Sequence, residues 1–422
     1  MQGELLAIEE AEKRLWHLRN SSQLENSRHH RLAVSKTLAL LGLLSLGVPL
    51  RAQVELTSSE IPIVNQIIDS RAKQNSLKCD VRPWTPFLDF NFRYQTGLVL
   101  SVSLGQFAPG EEPISYLRVI PQGAFPVIFR ASLELPSVPP DMRGTIDLKY
   151  LRKTQFTISG AFNVGEGRYS VELLLLNRQG RSCYKRWNLK TGKYSDKAVA
   201  LALSPGSVAP LAPDSWDGKL QANGLRLSVL LDAAPIHQYA AQLYAWDRSL
   251  LLQALASLLK QLPCQSVQIV AFNLEQQREV FRQEKFDAEG FAKLDTALKH
   301  LELASLPYQA LRRGSASKFL LRLAQEQTSA KDPSDAVVFL GPLTPVDQNP
   351  LMQLREPAPP RFFYFEFHGV GTHFPDSIEH LTKDLHGSVF RISSANDLAL
   401  AIQKMIAQLE QIPTGEHLPQ SR

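Results

Sequence analysis

Between Leu225 and Ile392, short and almost uninterrupted apolar runs recur at the spacing of strand–helix alternation, and few folds accept that pattern. The runs are Leu225–Leu231, Ser266–Asn273, Asp335–Gly341, Arg361–Phe367 and Ser388–Ile392. Each is too short for a buried helix and lacks the polar alternation of a strand with one wet face. Each therefore reads as a strand covered on both sides. Stretches of helical periodicity separate them: His237–Leu262, with Leu243, Trp246, Leu250, Leu251, Leu255, Leu258 and Leu259 on one face, then Asp287–Leu301, Lys318–Glu326, Ser377–Leu385 and Asn396–Leu409. Arg278–Arg282 adds one further short strand. Crossovers of this length imply a doubly wound, mostly parallel α/β sheet over 224–411 with helices on both faces. A tail over 412–422 follows.

The first half of the chain has another rhythm. Phe90–Tyr94, Leu98–Leu104, Ile114–Ile120, Val127–Glu134, Gly144–Tyr150 and Thr154–Phe162 read as short strands of period two. Arg168–Leu176 and Ser182–Leu189 form a hairpin around Asn177-Arg178-Gln179-Gly180, with Tyr169, Val171, Leu173 and Leu175 on one face. Short strands, Gly/Pro turns and no helical pattern predict an antiparallel β-sandwich over 80–197, immunoglobulin-like in general character. An N-terminal arm over 53–79 precedes it, with a short helix presenting Ile63, Val64, Ile67 and Ile68. The Ala- and Pro-rich stretch 198–223, with Pro205, Pro210 and Pro213, reads as a semi-extended connector outside either core.

The address is written in residues 1–52. Thr37–Leu50 carries no charge and follows His29-His30-Arg31 and Lys36. It falls short of the roughly 20 residues that span a bilayer, but it fits the apolar core of a secretory signal. Cleavage after Ala52 is the expectation, and a secreted or periplasmic location follows. Residues 1–31 are Glu-rich and mixed in charge, unlike a signal, so translation is expected to start downstream of Met1. The alternative for the apolar run is a buried core helix.

The chain has three cysteines, Cys79, Cys183 and Cys264. Cys79 and Cys183 flank the β-rich region and are the expected disulfide pair in an oxidising compartment. Three separate buried thiols are the alternative. Their spacing matches no zinc motif. A net charge of +5 on 422 residues, with dispersed Lys and Arg, argues against nucleic acid as a partner.

Asp232 ends the first apolar run and belongs at the carboxyl edge of the sheet, where open α/β folds bind ligands. No glycine occurs in the turn after it, so the phosphate cradle of a dinucleotide enzyme is missing and no cofactor is expected. There is no G-x-S-x-G elbow either. The order of elements and the aspartate at 232 resemble the von Willebrand factor type A domain, and the layout is similar to secreted von Willebrand factor A-related proteins of acidobacteria.

The resemblance implies extracytoplasmic recognition of a protein or cell-envelope component. It also implies a metal-ion-dependent adhesion motif, Asp-x-Ser-x-Ser, completed by a later Thr and a second Asp. This chain reads Asp232-Ala233-Ala234-Pro235-Ile236, with Ser315 or Ser317 standing loosely for the Thr and Gly341 where the second Asp belongs. One carboxylate beside Arg312 and Arg313 is too little charge for a divalent ion, so no metal site is expected. The candidate contact residues are Asp232, His237, Arg313, Ser315, Ser317, His368 and His373, on loops at one edge, and the chain is expected not to be an enzyme. An extracytoplasmic hydrolase drawing on His237 or His373 is the alternative.

Overall fold

The computed structural model of the protein describes residues 54–410, apart from 73, 75, 109, 136–152, 193–200, 212, 237–241, 306, 312–314, 329–332, 344–359 and 369–375. The expected leader, the C-terminal tail and the expected strand at Gly144–Tyr150 lie outside the described residues.

The first body comprises β1 (Val54–Glu55), α1 (Ile61–Arg71), β2 (Cys79–Pro83), β3 (Phe87–Leu88), β4 (Tyr94–Ser103), β5 (Ile114–Pro121), β6 (Val127–Ser132), β7 (Gln155–Val164), β8 (Arg168–Leu176), β9 (Ser182–Lys190) and β10 (Val208–Pro210). These strands make two antiparallel sheets, in the orders β1-β6-β5-β8-β9 and β10-β7-β4-β2, with β3 also on β4. Alternation places Tyr169, Val171, Leu173 and Leu175 of β8 in one core with Leu98, Leu100 and Val102 of β4 and Phe156, Ile158 and Phe162 of β7. Cys79 of β2 and Cys183 of β9 form a disulfide that joins the two sheets.

The stretch read as an arm is built into this body. β1 extends the first sheet through β6. α1 lies on that sheet's outer face, with Val64 and Ile68 buried against Tyr116, Ile128 and Leu174. Ile63 turns outward instead, because helical spacing aligns 64 with 68 and leaves 63 about 100° away. Arg118 fastens the helix to the sheet, donating to Asn65 at 2.9 Å, Asp69 at 2.7 Å and Glu172 at 2.6 Å.

Two expectations need correction here. Phe90–Tyr94 is a tight turn entering β4 rather than a strand. Asp89 accepts the N–H groups of Asn91 at 3.0 Å and Arg93 at 2.8 Å, and Phe92 takes a positive φ of 58°. Alternating aromatics imitated a strand where a capped turn carries them. The described residues of 198–223, a run of turns and extended segments, belong to both bodies. They supply β10 to the second sheet, and they send Trp216 into the α/β core, stacked on Phe286 at 5.7 Å.

The second body comprises β11 (Leu225–Asp232), α2 (Ala245–Gln261), β12 (Cys264–Asn273), β13 (Arg278–Gln283), α3 (Ala288–Lys299), α4 (Ser315–Thr328), β14 (Ala336–Pro342), β15 (Arg361–Phe367), α5 (Ser377–Asp384), β16 (Ser388–Ile392) and α6 (Ala395–Glu410). Its sheet runs β13-β12-β11-β14-β15-β16 and is parallel except for the edge strand β13. Leu227, Val229 and Leu231 face α2, α3 and α6, while Leu230, Val337, Phe339 and Phe362 face α4 and α5. Strands covered on both sides are what the unbroken apolar runs require. Strand order reverses between β11 and β14, so the switch point lies at the carboxyl end of β11. The helix expected from His237 begins at Ala245.

Candidate functional site

Asp232 closes β11 at the switch point and is fully buried. Its carboxylate accepts the Leu274 N–H at 3.3 Å, across the end of β12. Gly341 of β14 lies alongside. A Cβ added there would fall 2.8 Å from Asp232 Cβ and 3.0 Å from its carbonyl oxygen. The space in which the resemblance expects a second Asp is thus occupied by Asp232 itself, and glycine is required by contact rather than by turn geometry.

Gly341 is paired in register with Glu366 of β15, which is also fully buried. Residues 232, 341 and 366 therefore form a row across adjacent strands, acid–glycine–acid. Glu366 Oε1 lies 2.6 Å from His368 Nδ1, and Oε2 lies 3.9 Å from Arg391 Nε. Arg391 reaches Glu379 at 3.4 Å, and Glu379 holds Lys383 at 2.6 Å. Asp376 caps α5 by accepting the Ile378 N–H at 2.7 Å, and the Tyr364 hydroxyl donates to it at 2.7 Å. Burial, reinforced by the Asp376 charge, pushes the Tyr364 hydroxyl well above its ordinary range, so it stays a neutral donor. Asp232 and Asp376 are thus met by donors of the protein itself, whereas Glu366 has only the close approaches of His368 and Arg391 and neither of its oxygens accepts a hydrogen bond. Among the described residues, no three His, Cys, Asp or Glu side chains are grouped so as to hold a metal ion.

The rim above this row is laid out by amide hydrogen bonds. Asp247 in the first turn of α2 accepts the Ile236 N–H at 3.3 Å, which holds that turn beside the loop after Asp232. Gln242 bridges to Glu302. Gln276, in the β12–β13 turn, donates to the carbonyls of Glu302 at 2.8 Å and Ser305 at 2.9 Å. Gln277 donates to the Ala310 carbonyl at 3.1 Å and to the Ser315 hydroxyl at 2.7 Å.

Of the residues singled out from sequence, Asp232, Ser315 and His368 come to this one edge. Ser317 is buried in the first turn of α4. His237, Arg313 and His373 lie outside the described residues. Asp232 has no solvent exposure, so it orders the loop ends rather than presenting itself to a partner.

Sequence reasoning missed the aromatic rim. Tyr244 is 53% exposed, Trp246 58% and Tyr308 80%, and all three sit on the segments joined by the glutamines above. Periodicity had placed Trp246 in the core, in phase with Leu250. Because α2 begins only at Ala245, its first turn carries the indole outward at the rim. The pairing Tyr244-Ala245-Trp246, just before the Leu-rich run, was the available signal.

No protein-family model matches the chain, and none of the curated proteins does. Solved structures give shallow likenesses. The ArnB paralog VWA2 from Sulfolobus acidocaldarius is 14% identical over 57% of this chain and 52% of that one, with a TM-score of 0.26. The soluble domain of PmoD from Methylocystis sp. is 14% identical over 28% of this chain and 92% of that one, with a TM-score of 0.15. A Bordetella pertussis protein solved under the designation ApaA is 9% identical over 28% of this chain and 98% of that one, with a TM-score of 0.19. Likenesses this shallow leave function to be read from the chain's own residues.

Proposed function

We propose that this chain is an extracytoplasmic, non-enzymatic protein-binding protein, in which a von Willebrand A-like body without a complete metal site offers the carboxyl edge of its sheet to a protein partner. The observation that carries this reading is the aromatic rim of Tyr244, Trp246 and Tyr308. Tyrosine and tryptophan supply large contact area for little conformational entropy and dominate the energetics of protein interfaces. The Cys79–Cys183 disulfide supports an oxidising compartment. Among the described residues, no helix is long and apolar enough to cross a membrane. Metal-mediated contact is disfavoured by composition, since Ala234 and Ile236 replace the two hydroxyl ligands and Gly341 the second carboxylate.

Affinity capture from the cell envelope, comparing the natural chain with a Tyr244→Ala/Trp246→Ala/Tyr308→Ala variant, tests the reading. A partner retained by the first and at least tenfold depleted by the second is expected. Equal retention by both would remove the rim from the interface.

One observation favours the hydrolase alternative. Glu366 Oε1 lies 2.6 Å from Nδ1 of His368, close enough for a buried carboxylate to orient an imidazole base. A broad panel of ester, amide and glycoside substrates distinguishes the two readings. Turnover abolished by His368→Gln would establish the enzyme, and absence of turnover is the expected result.

A further inference from the structure

The two bodies meet through the turn between β3 and β4, which is inserted into the α/β body. Phe90 N–H donates to Gln253 Oε1 at 3.3 Å, and the Ser257 hydroxyl of the same helix, α2, donates to the Phe90 carbonyl at 2.5 Å. The Phe90 ring packs edge-on against Phe367 at 5.7 Å, and Phe92 is buried within the α/β core. Asn91 Nδ2 donates to Asp214 Oδ1 at 3.0 Å, and Asp214 Oδ2 accepts the Ser249 hydroxyl at 2.7 Å. The carboxyl of Asp89, 5% exposed, holds the turn by accepting its own Asn91 and Arg93 N–H groups.

A buried seam with two acids in it is poorly balanced in charge. The cations facing it are Arg93, on the same turn, and Lys260, on α2; Asp217, on the connecting stretch, is a further acid. Arg93 Nε and Asn91 Oδ1 are buried without a hydrogen-bond partner. The seam thus contains polar groups that are incompletely satisfied around ionisable carboxyls, and unsatisfied groups of that kind weaken a contact.

We propose that this seam is a proton-responsive joint: proton uptake by its carboxyls tightens the docking of the sandwich on the α/β body, and proton release at neutral pH loosens it. Burial, with the Asp214 charge adding to it, pushes the Asp89 carboxyl up to about 6, against the lowering effect of Arg93 and of the two N–H bonds. Burial also raises Asp214. Burial lowers Lys260, with Arg93 acting in the same sense, which reduces the compensating positive charge.

In an undocked, solvated turn Asp89 titrates near its ordinary 3.8, whereas in the docked seam it titrates near 6. Docking therefore takes up a proton between those values. The extra stability of docking is complete below the lower value and is lost as pH rises through the upper one. A shift of this size changes the docking equilibrium by about a hundredfold between pH 4 and pH 7.

Hydrogen-exchange protection of the Phe90 and Phe92 amides in the full chain, corrected for intrinsic exchange rates, reads the joint directly. Protection is expected to fall about ten- to a hundredfold from pH 4.5 to pH 7.5, levelling off above about 6, and Asp89→Asn is expected to flatten the profile. Protection that is independent of pH in the natural chain, or an unchanged profile in Asp89→Asn, would overturn the proposal. If Asp89→Asn does not fold, Asp214→Asn decides. Removing its charge should bring the levelling-off to lower pH, and an unmoved profile overturns the joint.

Discussion

Gly341 shows how one missing side chain defines the edge. Its Cα lies in the row between two buried acids, and the nearest atom to any added Cβ is the Cβ of Asp232. Gly341→Ala should therefore cost about 1–3 kcal/mol by overpacking, measured by urea unfolding. A neutral outcome would mean that the row is looser than described. The same crowding bears on metal chemistry, because there is no room to restore a second carboxylate beside Asp232. Millimolar Mg²⁺ or Mn²⁺ should leave the melting temperature unchanged; a rise that disappears in Asp232→Ala would show that the edge holds an ion after all. At this scale Asp232 and Gly341 were readable from where the apolar runs stop. The exposed aromatics were not, since periodicity reports phase along a helix and not where the helix starts.

Among elements, the strands and hairpins were the most legible. Their period-two and unbroken apolar patterns follow from being covered on one or both faces, which fixes composition locally. What escaped notice depends on contacts distant in sequence. The Asp89–Arg93 turn looks like a strand until its Asp89 cap is seen. Trp216 looks like linker composition until Phe286 is placed against it. The covalent link between Cys79 and Cys183 closes a span of 104 residues. Replacing both cysteines with serine should cost about 2–5 kcal/mol, measured by guanidinium unfolding. On the outer face of the first sheet, Ile68 is fully buried under α1. Ile68→Ala should cost about 2–5 kcal/mol, and a loss below half of that would mean that α1 is only loosely attached.

At the scale of the whole molecule, the sandwich and the α/β body share side chains rather than merely a tether. Phe90 and Phe92 enter the α/β core from one side, and Trp216 enters it from the connecting stretch. That joint fixes the sandwich on α2, the helix whose first turn carries Trp246 to the rim, so any change in docking acts on an element of the proposed binding edge. On the proposed function, contact with a partner is made at the carboxyl edge. Site-specific photocrosslinking reads that contact, with the photoreactive residue placed at Tyr308 on that edge or, as a control, at Phe125 on the β5–β6 turn of the sandwich, where the ring is 92% exposed. A discrete cross-linked partner from position 308 and none from position 125 is the predicted result. The same partner captured from position 125, with none from 308, would put the interface on the sandwich instead.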